Sequence, residues 1–167
     1  MHLKKTLFLS LFLLLFTAWI CQAQVKSGAY RTMLKTLLSH SVPEITVDKA
    51  RTEKNALFLD AREPAEYGVS HLQNAVFIGY DHFTLTNVPQ VAKETPIIVY
   101  CSVGYRSEKI AEQLLATGFT NVSNLYGGIF EWVNEDQPVY NDQGTTQKVH
   151  AYSHSWGIWL KKGKKVY

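Results

Sequence analysis

Cys101 and Arg106 are separated by Ser102-Val103-Gly104-Tyr105, and Ser107 follows. A thiol five positions before a guanidinium, with a glycine between them, has the makings of a nucleophile held beside an anion-binding loop. The thiolate is the reactive form of cysteine, and loop N–H groups together with a positive side chain concentrate favourable potential at one point. Gly104 lets the loop curl, Tyr105 shapes its mouth, and Arg106 is placed to receive an anionic substrate. The competing reading of Cys101 is a small buried hydrophobe. The polar loop directly after it, with its glycine and arginine, favours the reactive thiol.

The elements around the loop must put the sulfur at a strand end. Ile97 to Tyr100 is short, apolar and β-branched, and Pro96 precedes it, which predicts a buried strand. Ile110, Ala111, Leu114 and Leu115 recur at helical spacing, with Ser107 as the expected N-cap, Glu108 in the first turn and Gly118 as the stop. The positive end of that helix then faces the sulfur. Ala56 to Leu59 predicts a second strand, ending on Asp60, and sites in open α/β sheets gather at the carboxyl ends of strands. Asp60 and Arg62 are expected as an ion pair or cap that orders the loop, with Glu66 as a third member. Short strands are expected at Glu44–Asp48, Ala75–Ile78 and Val122–Leu125, and Gly127-Gly128 turns into a helix over Ile129–Asn134. Alternating strands and helices predict a parallel sheet covered on both faces.

Cys101-Ser-Val-Gly-Tyr-Arg-Ser107 resembles the active-site loop of single-domain rhodaneses. Asp60-Ala-Arg-Glu-Pro-Ala-Glu-Tyr67 and Leu125-Tyr-Gly-Gly-Ile-Phe-Glu-Trp132 are similar to two further blocks of that family, in the same order. The resemblance covers about residues 42 to 140. It implies an α/β, rhodanese-like three-layer sandwich with a mainly parallel central sheet and helices on both faces. The segment Gly68–Ala75 departs from the family pattern, with Ser70 and Asn74 in place of glycines, although asparagine tolerates the left-handed backbone. Cysteine phosphatases resemble a loop with five residues between cysteine and arginine. The four found here match a sulfur atom carried on the nucleophile.

The resemblance therefore implies a rhodanese-type, thiosulfate sulfurtransferase-like enzyme. Cys101 is its catalytic residue, Ser102, Val103, Gly104, Tyr105 and Arg106 its anion-binding loop, and Asp60 and Arg62 scaffold near the site. A sulfane sulfur passes from a donor such as thiosulfate, through a Cys101 persulfide, to a thiol or cyanide acceptor. No cofactor or metal is implied. The alternative is a non-catalytic rhodanese-like binding or sulfur-carrier module that presents its C-terminal tail to a partner.

Residues 1–23 read as a signal peptide: Lys4 and Lys5 precede the apolar run Leu7–Ile20, and Ala23 offers a cleavage point before Gln24. The expected location is exported, in a bacterial periplasm, with membrane attachment only if the signal is retained or Cys21 is lipidated. Cleavage removes two lysines and no acid, so the formal charge falls from +3 to +1, and Cys101 becomes the only cysteine. Residues 24–41 form a helical extension with an amphipathic face over Ala29–Leu38, and residues 42–140 are the domain. Residues 141–167 are a linker followed by an aromatic and basic extension, whose aromatics are expected to cover domain surface, away from the site. Within it, Trp159 to Tyr167 suggests a hairpin about Gly163. No basic surface with interleaved aromatics marks nucleic-acid binding. His71 reads as structural and His82 as an outside candidate for the site. His150 and His154 have ligand-like spacing without a third ligand.

Overall fold

The computed structural model describes residues 25–167; the readings of residues 1–23 and of Cys21 fall outside them. In chain order the elements are α1 (Gly28–Leu37), β1 (Glu44–Ile45), α2 (Val47–Ala50), β2 (Leu57–Asp60), α3 (Pro64–Val69), β3 (Val76–Phe77), a 3-10 turn (Leu85–Asn87), β4 (Ile97–Tyr100), α4 (Tyr105–Ala116), β5 (Val122–Leu125), α5 (Gly128–Asn134), β6 (Val139–Asn141), β7 (Gly144–Thr146), β8 (Lys148–His150), α6 (His154–Gly157) and β9 (Lys164–Val166).

The central sheet has the order β1-β5-β4-β2-β3 and every pair in it is parallel. All four residues of β4 are buried, because a central strand is covered on both faces. Ile98 and Tyr100 point into one apolar cluster, with Tyr30 and Leu34 of α1 and Ile129 and Phe130 of α5. Ile97 and Val99 point into the other, with Ile110, Ala111 and Leu114 of α4. The period-2 alternation of a strand thus divides β4 between two cores, and the result is the three-layer sandwich. Asp60 and Tyr100 are register partners, so the carboxyl ends of β2 and β4 finish level and the residues that follow them share one rim.

Three local expectations are corrected. Helix α4 begins at Tyr105 with Gly104 as its N-cap, and Ser107 lies inside the first turn because its hydroxyl is drawn inward to the Cys101 loop. The supposed linker over 141–147 is the turn and second strand of an antiparallel hairpin, with Val139 opposite Thr146. Asn141 Oδ1 accepts the Gln143 N–H at 3.0 Å, an Asx turn of the kind that folds short polar stretches. The segment 159–167 is no hairpin: β9 pairs in parallel with β8, and Gly163, at φ +80°, turns the chain toward that distant partner. Asn74 does adopt φ +57°, the left-handed backbone expected of it.

The C-terminal extension is part of the core. Val149, Ala151 and Leu160 are fully buried in the cluster under α1 and α5, and Trp159 stacks on Tyr30 with centroids 5.3 Å apart and planes 12° from parallel. Trp159→Ala should therefore lower unfolding free energy by about 2–3 kcal/mol, from lost burial plus lost ring stacking. Urea denaturation checks this, and an unchanged midpoint would show that the extension is merely laid on the surface.

Candidate active site

Cys101 follows the last residue of β4 and is a free, buried thiol. The chain then turns back over it. Gly104 has φ +118°, a backbone open to glycine and strained for other residues, and its N–H donates to Cys101 Sγ at 3.1 Å. A donor so aimed accommodates negative charge on the sulfur. Ser107 Oγ lies 2.7 Å from Asn124 Oδ1, 3.1 Å from the Gly104 carbonyl and 3.5 Å from Sγ. One hydroxyl proton serves one of these acceptors at a time. Asn124 Nδ2 also donates to the Gly104 carbonyl at 3.0 Å, so β5 holds the loop from beneath through a side chain that no local sequence signal marks.

The Gly127-Gly128 turn has a second purpose besides starting α5. Ile129 N–H donates to the Cys101 carbonyl at 2.9 Å and Phe130 N–H to the Ser102 carbonyl at 3.1 Å. A Cβ on Gly128, itself at φ +58°, would collide with the Cys101 carbonyl oxygen and meet the Ser102 backbone carbon at 2.7 Å. Gly128→Ala should thus displace the nucleophile's own backbone, at a cost of about 1–3 kcal/mol, and change the alkylation rate of Cys101. Thermal unfolding with timed iodoacetamide labelling tests both, and wild-type behaviour in each would remove the close approach as the reason for this glycine.

Arg106 is in a different situation from the one expected. Its Nη1 donates to Glu66 Oε2 at 2.7 Å, and its Nη2 to Glu66 Oε1 at 2.9 Å and to Ser102 Oγ at 3.0 Å. Ser102 Oγ in turn donates to Glu66 Oε1 at 2.8 Å. The face of the guanidinium lies 5.1 Å from the Tyr152 ring centroid. Its fork, suited to bidentate carboxylate binding, is already filled. Burial would push the Glu66 carboxyl up, but Arg106, with the Glu63 N–H and the Ser102 hydroxyl, outweighs it and holds it below the usual carboxylate range. Burial likewise works against the Arg106 charge, and Glu66 and Cys101 more than offset it, holding the guanidinium's pKa above its ordinary value. Arg106 therefore ties the loop to α3. Glu66 belongs to it and not to the Asp60–Arg62 group.

Asp60 and Arg62 do pair, fully buried, with Arg62 Nη2 2.6 Å from Asp60 Oδ2. The same nitrogen donates to the Ser70 carbonyl at 2.6 Å. Tyr100 ties into the same floor by accepting the Leu72 N–H at 3.1 Å. The ion pair expected between Asp60 and Arg62 is thus present, buried under the rim.

Above Cys101 is a cavity of about 320 Å³. The loop residues Ser102, Val103, Tyr105 and Arg106 form one side of it, and Glu63, Tyr80 and Asp81 another. His82 is not among its lining residues. The remaining wall comes from outside the domain as read from sequence: Leu37 of α1, and Tyr152 and Trp156 of the C-terminal extension. The expectation that the extension's aromatics stay away from the site is therefore corrected for these two, while Trp159 does cover the body. Parallel pairing of β8 with β9 positions the segment, and the Ser153 hydroxyl caps α6 by accepting the Trp156 N–H at 3.4 Å. Tyr152 sits at φ +62°, and its N–H donates to His150 Nδ1 at 3.1 Å. His154 stacks face to face on Tyr167 at 4.1 Å, and His71 Nδ1 lies 2.8 Å from the Tyr140 carbonyl; these histidines hold structure.

The sequence model of the rhodanese-like domain matches residues 46–135. The chain belongs to the rhodanese-like domain family. It is 36% identical over 113 residues to a tRNA uridine(34) hydroxylase of Hamiltonella defensa, a match that takes in 62% of this chain and 30% of that protein. The chain thus spans less than a third of that relative's length. Among solved structures it is similar to a Bacillus halodurans protein, at 26% identity and a TM-score of 0.54, covering 70% of this chain and 86% of that one. A rhodanese-related protein of Thermoplasma volcanium is also 26% identical, with a TM-score of 0.52, covering 58% of this chain and 96% of that one. The family match ends at residue 135, so Tyr152 and Trp156 lie beyond it.

Proposed function

We propose that this rhodanese-like protein is a sulfurtransferase that carries a sulfane sulfur on Cys101. The observation that carries the reading is the sulfur itself: Cys101 Sγ lies at the floor of a cavity, takes the Gly104 N–H, and is enclosed by a loop with four residues before Arg106. With thiosulfate, the Cys101 thiolate attacks the outer sulfur, the sulfur–sulfur bond breaks, and its electron pair departs with sulfite. Cys101 keeps the sulfur as a persulfide, and a thiol or cyanide then takes it by the same displacement. The test is intact-mass measurement after incubation with excess thiosulfate. A gain of one sulfur atom supports the reading, whereas an unmodified mass would favour a non-catalytic binding or carrier module. Hydrolysis of an aryl phosphate dependent on Cys101 would overturn the loop-length distinction from phosphatases.

The tRNA-named relative raises RNA as a substrate. Against this reading, two of the cavity's lining side chains, Glu63 and Asp81, are carboxylates, which oppose a polyanion. We therefore propose small sulfur compounds as substrates and no nucleic acid; tight tRNA binding in a filter assay at physiological salt would reverse this. Export to the periplasm is likewise proposed from residues 1–23, and N-terminal sequencing of material from the native host, expected to begin at Gln24, tests it.

A further inference from the structure

The cavity above Cys101 is built for a different charge from that of an inorganic oxyanion. Among the described residues, Arg106 is the only cationic side chain that lines it, and both of its outer nitrogens are engaged by Glu66 and Ser102 while Tyr152 lies against it. Glu63 and Asp81 line the same space, with no further cation there among the described residues. The Glu63 side chain faces the Glu66 N–H in the capping box of α3, and its Oε1 has no hydrogen-bond partner among the described residues, which leaves acceptor capacity on that carboxylate. Tyr80, Tyr105 and Trp156 complete the wall, and aromatic faces beside carboxylates are the surroundings that attract an ammonium group. At about 30 Å³ for each water, the 320 Å³ cavity has room for about ten waters, far more than the five heavy atoms of thiosulfate.

We propose that the site takes an amine-bearing organic thiol or its persulfide, with Glu63 and Asp81 receiving the ammonium and Trp156 packing on the carbon chain. The proposal deepens the sulfur-transfer reading and rests on it for the chemistry. In the transfer the Cys101 thiolate attacks the outer sulfur of R–S–SH, the S–S bond breaks, and its electron pair leaves on the thiolate RS⁻. The proton stays with the transferred sulfur, and no outside oxidant or reductant is needed. Tyr152 and Trp156 become specificity determinants contributed by a segment outside the family match.

The test uses two thiol reagents of matched length and opposite charge, 2-aminoethyl and 2-sulfonatoethyl methanethiosulfonate, on the full chain. Each is attacked by the Cys101 thiolate with loss of methanesulfinate, and the mixed disulfide is followed on the Cys101-containing peptide by mass. The rate ratio of cationic to anionic reagent, divided by that ratio for 2-mercaptoethanol in solution, removes intrinsic reactivity. We expect the wild-type value to exceed tenfold, Glu63→Gln and Asp81→Asn each to lower it at least threefold, and Trp156→Leu to slow the cationic reagent. A wild-type value of one or below would overturn the proposal, as would a value that neither carboxamide variant moves. This readout needs no persulfide, so it stays decisive if sulfur uptake fails. Where uptake succeeds, the persulfide of cysteamine should outperform that of 3-mercaptopropionate as donor by a similar ratio, and the reverse order would sink the assignment.

Discussion

Cys101→Ser should take up no sulfur from thiosulfate or from an organic persulfide, and its sulfur transfer to cyanide should fall to the uncatalysed background. A serine hydroxyl at neutral pH has almost none of the anionic form that makes cysteine a nucleophile, and no other described residue offers a thiol. The fold should survive the exchange. Oxygen is smaller than sulfur, the Gly104 N–H that donates to Sγ at 3.1 Å can donate to a hydroxyl, and the loop is held independently by Asn124 and by the α5 N–H groups on the Cys101 and Ser102 carbonyls. Melting temperature within a few degrees of wild type, together with an unmodified intact mass, is the expected pair of results. Residual turnover in a correctly folded Cys101→Ser protein would mean that the sulfur is carried elsewhere, and the proposed chemistry would go with it.

The rim that bears Cys101 could be read from sequence because it depends on local signals. Four consecutive apolar residues, Ile97 to Tyr100, too short for a helix, rich in β-branched residues and preceded by Pro96, read as a strand covered on both sides, and a helical repeat beginning within a few residues puts the loop between them at the strand's carboxyl end. The helix starts three residues earlier than Ser107, a good N-cap by type, would place it. The structure spends its hydroxyl on Asn124, a partner seventeen positions away, and no local pattern reports that bond. Glu66 reads as a partner of Asp60 and Arg62 for the same reason. Proximity in sequence suggested one cluster, whereas α3 turns Glu66 toward Arg106, forty positions on, and leaves Asp60 and Arg62 as a closed pair. The cavity's outer wall was the least legible. Tyr152 and Trp156 line the cavity above Cys101 on a segment that β9 holds by returning to pair with β8 in parallel, a long-range contact that Gly163 disguises as a hairpin turn.

That relocation of Glu66 changes what Arg106 should do. An arginine free to receive thiosulfate would, on loss, impair the anionic donor more than a neutral or cationic one. An arginine clamped by Glu66 and Ser102 should on loss impair all donors alike, because its work is to hold the loop. Arg106→Ala and Glu66→Ala should each cost about 3–5 kcal/mol of stability, the usual consequence of leaving one member of a buried ion pair without its partner; the side chains are 13% and 3% exposed. Removing both together, as Arg106→Met with Glu66→Leu, should cost less than the two single losses combined, since no charge is then stranded.

Acid gives a check without truncation. Glu66 is held below the usual carboxylate range, so the folded state favours its ionised form. Its contribution is complete at pH values above the ordinary carboxylate pKa and fades as pH falls through the lowered one. Wild type should therefore lose stability on acidification below about pH 4.3, the ordinary glutamate value, and Glu66→Gln, already weakened at neutral pH, should lose less over the same interval. Denaturant midpoints across pH 7 to 3 provide the comparison, with donor kinetics for thiosulfate and cysteamine persulfide on Arg106→Ala at neutral pH. Parallel acid profiles for the two proteins would show that the Glu66–Arg106 pair does not hold the loop. A loss confined to thiosulfate would show that the guanidinium leaves Glu66 to meet the donor, and Arg106 would then belong among the groups that touch substrate.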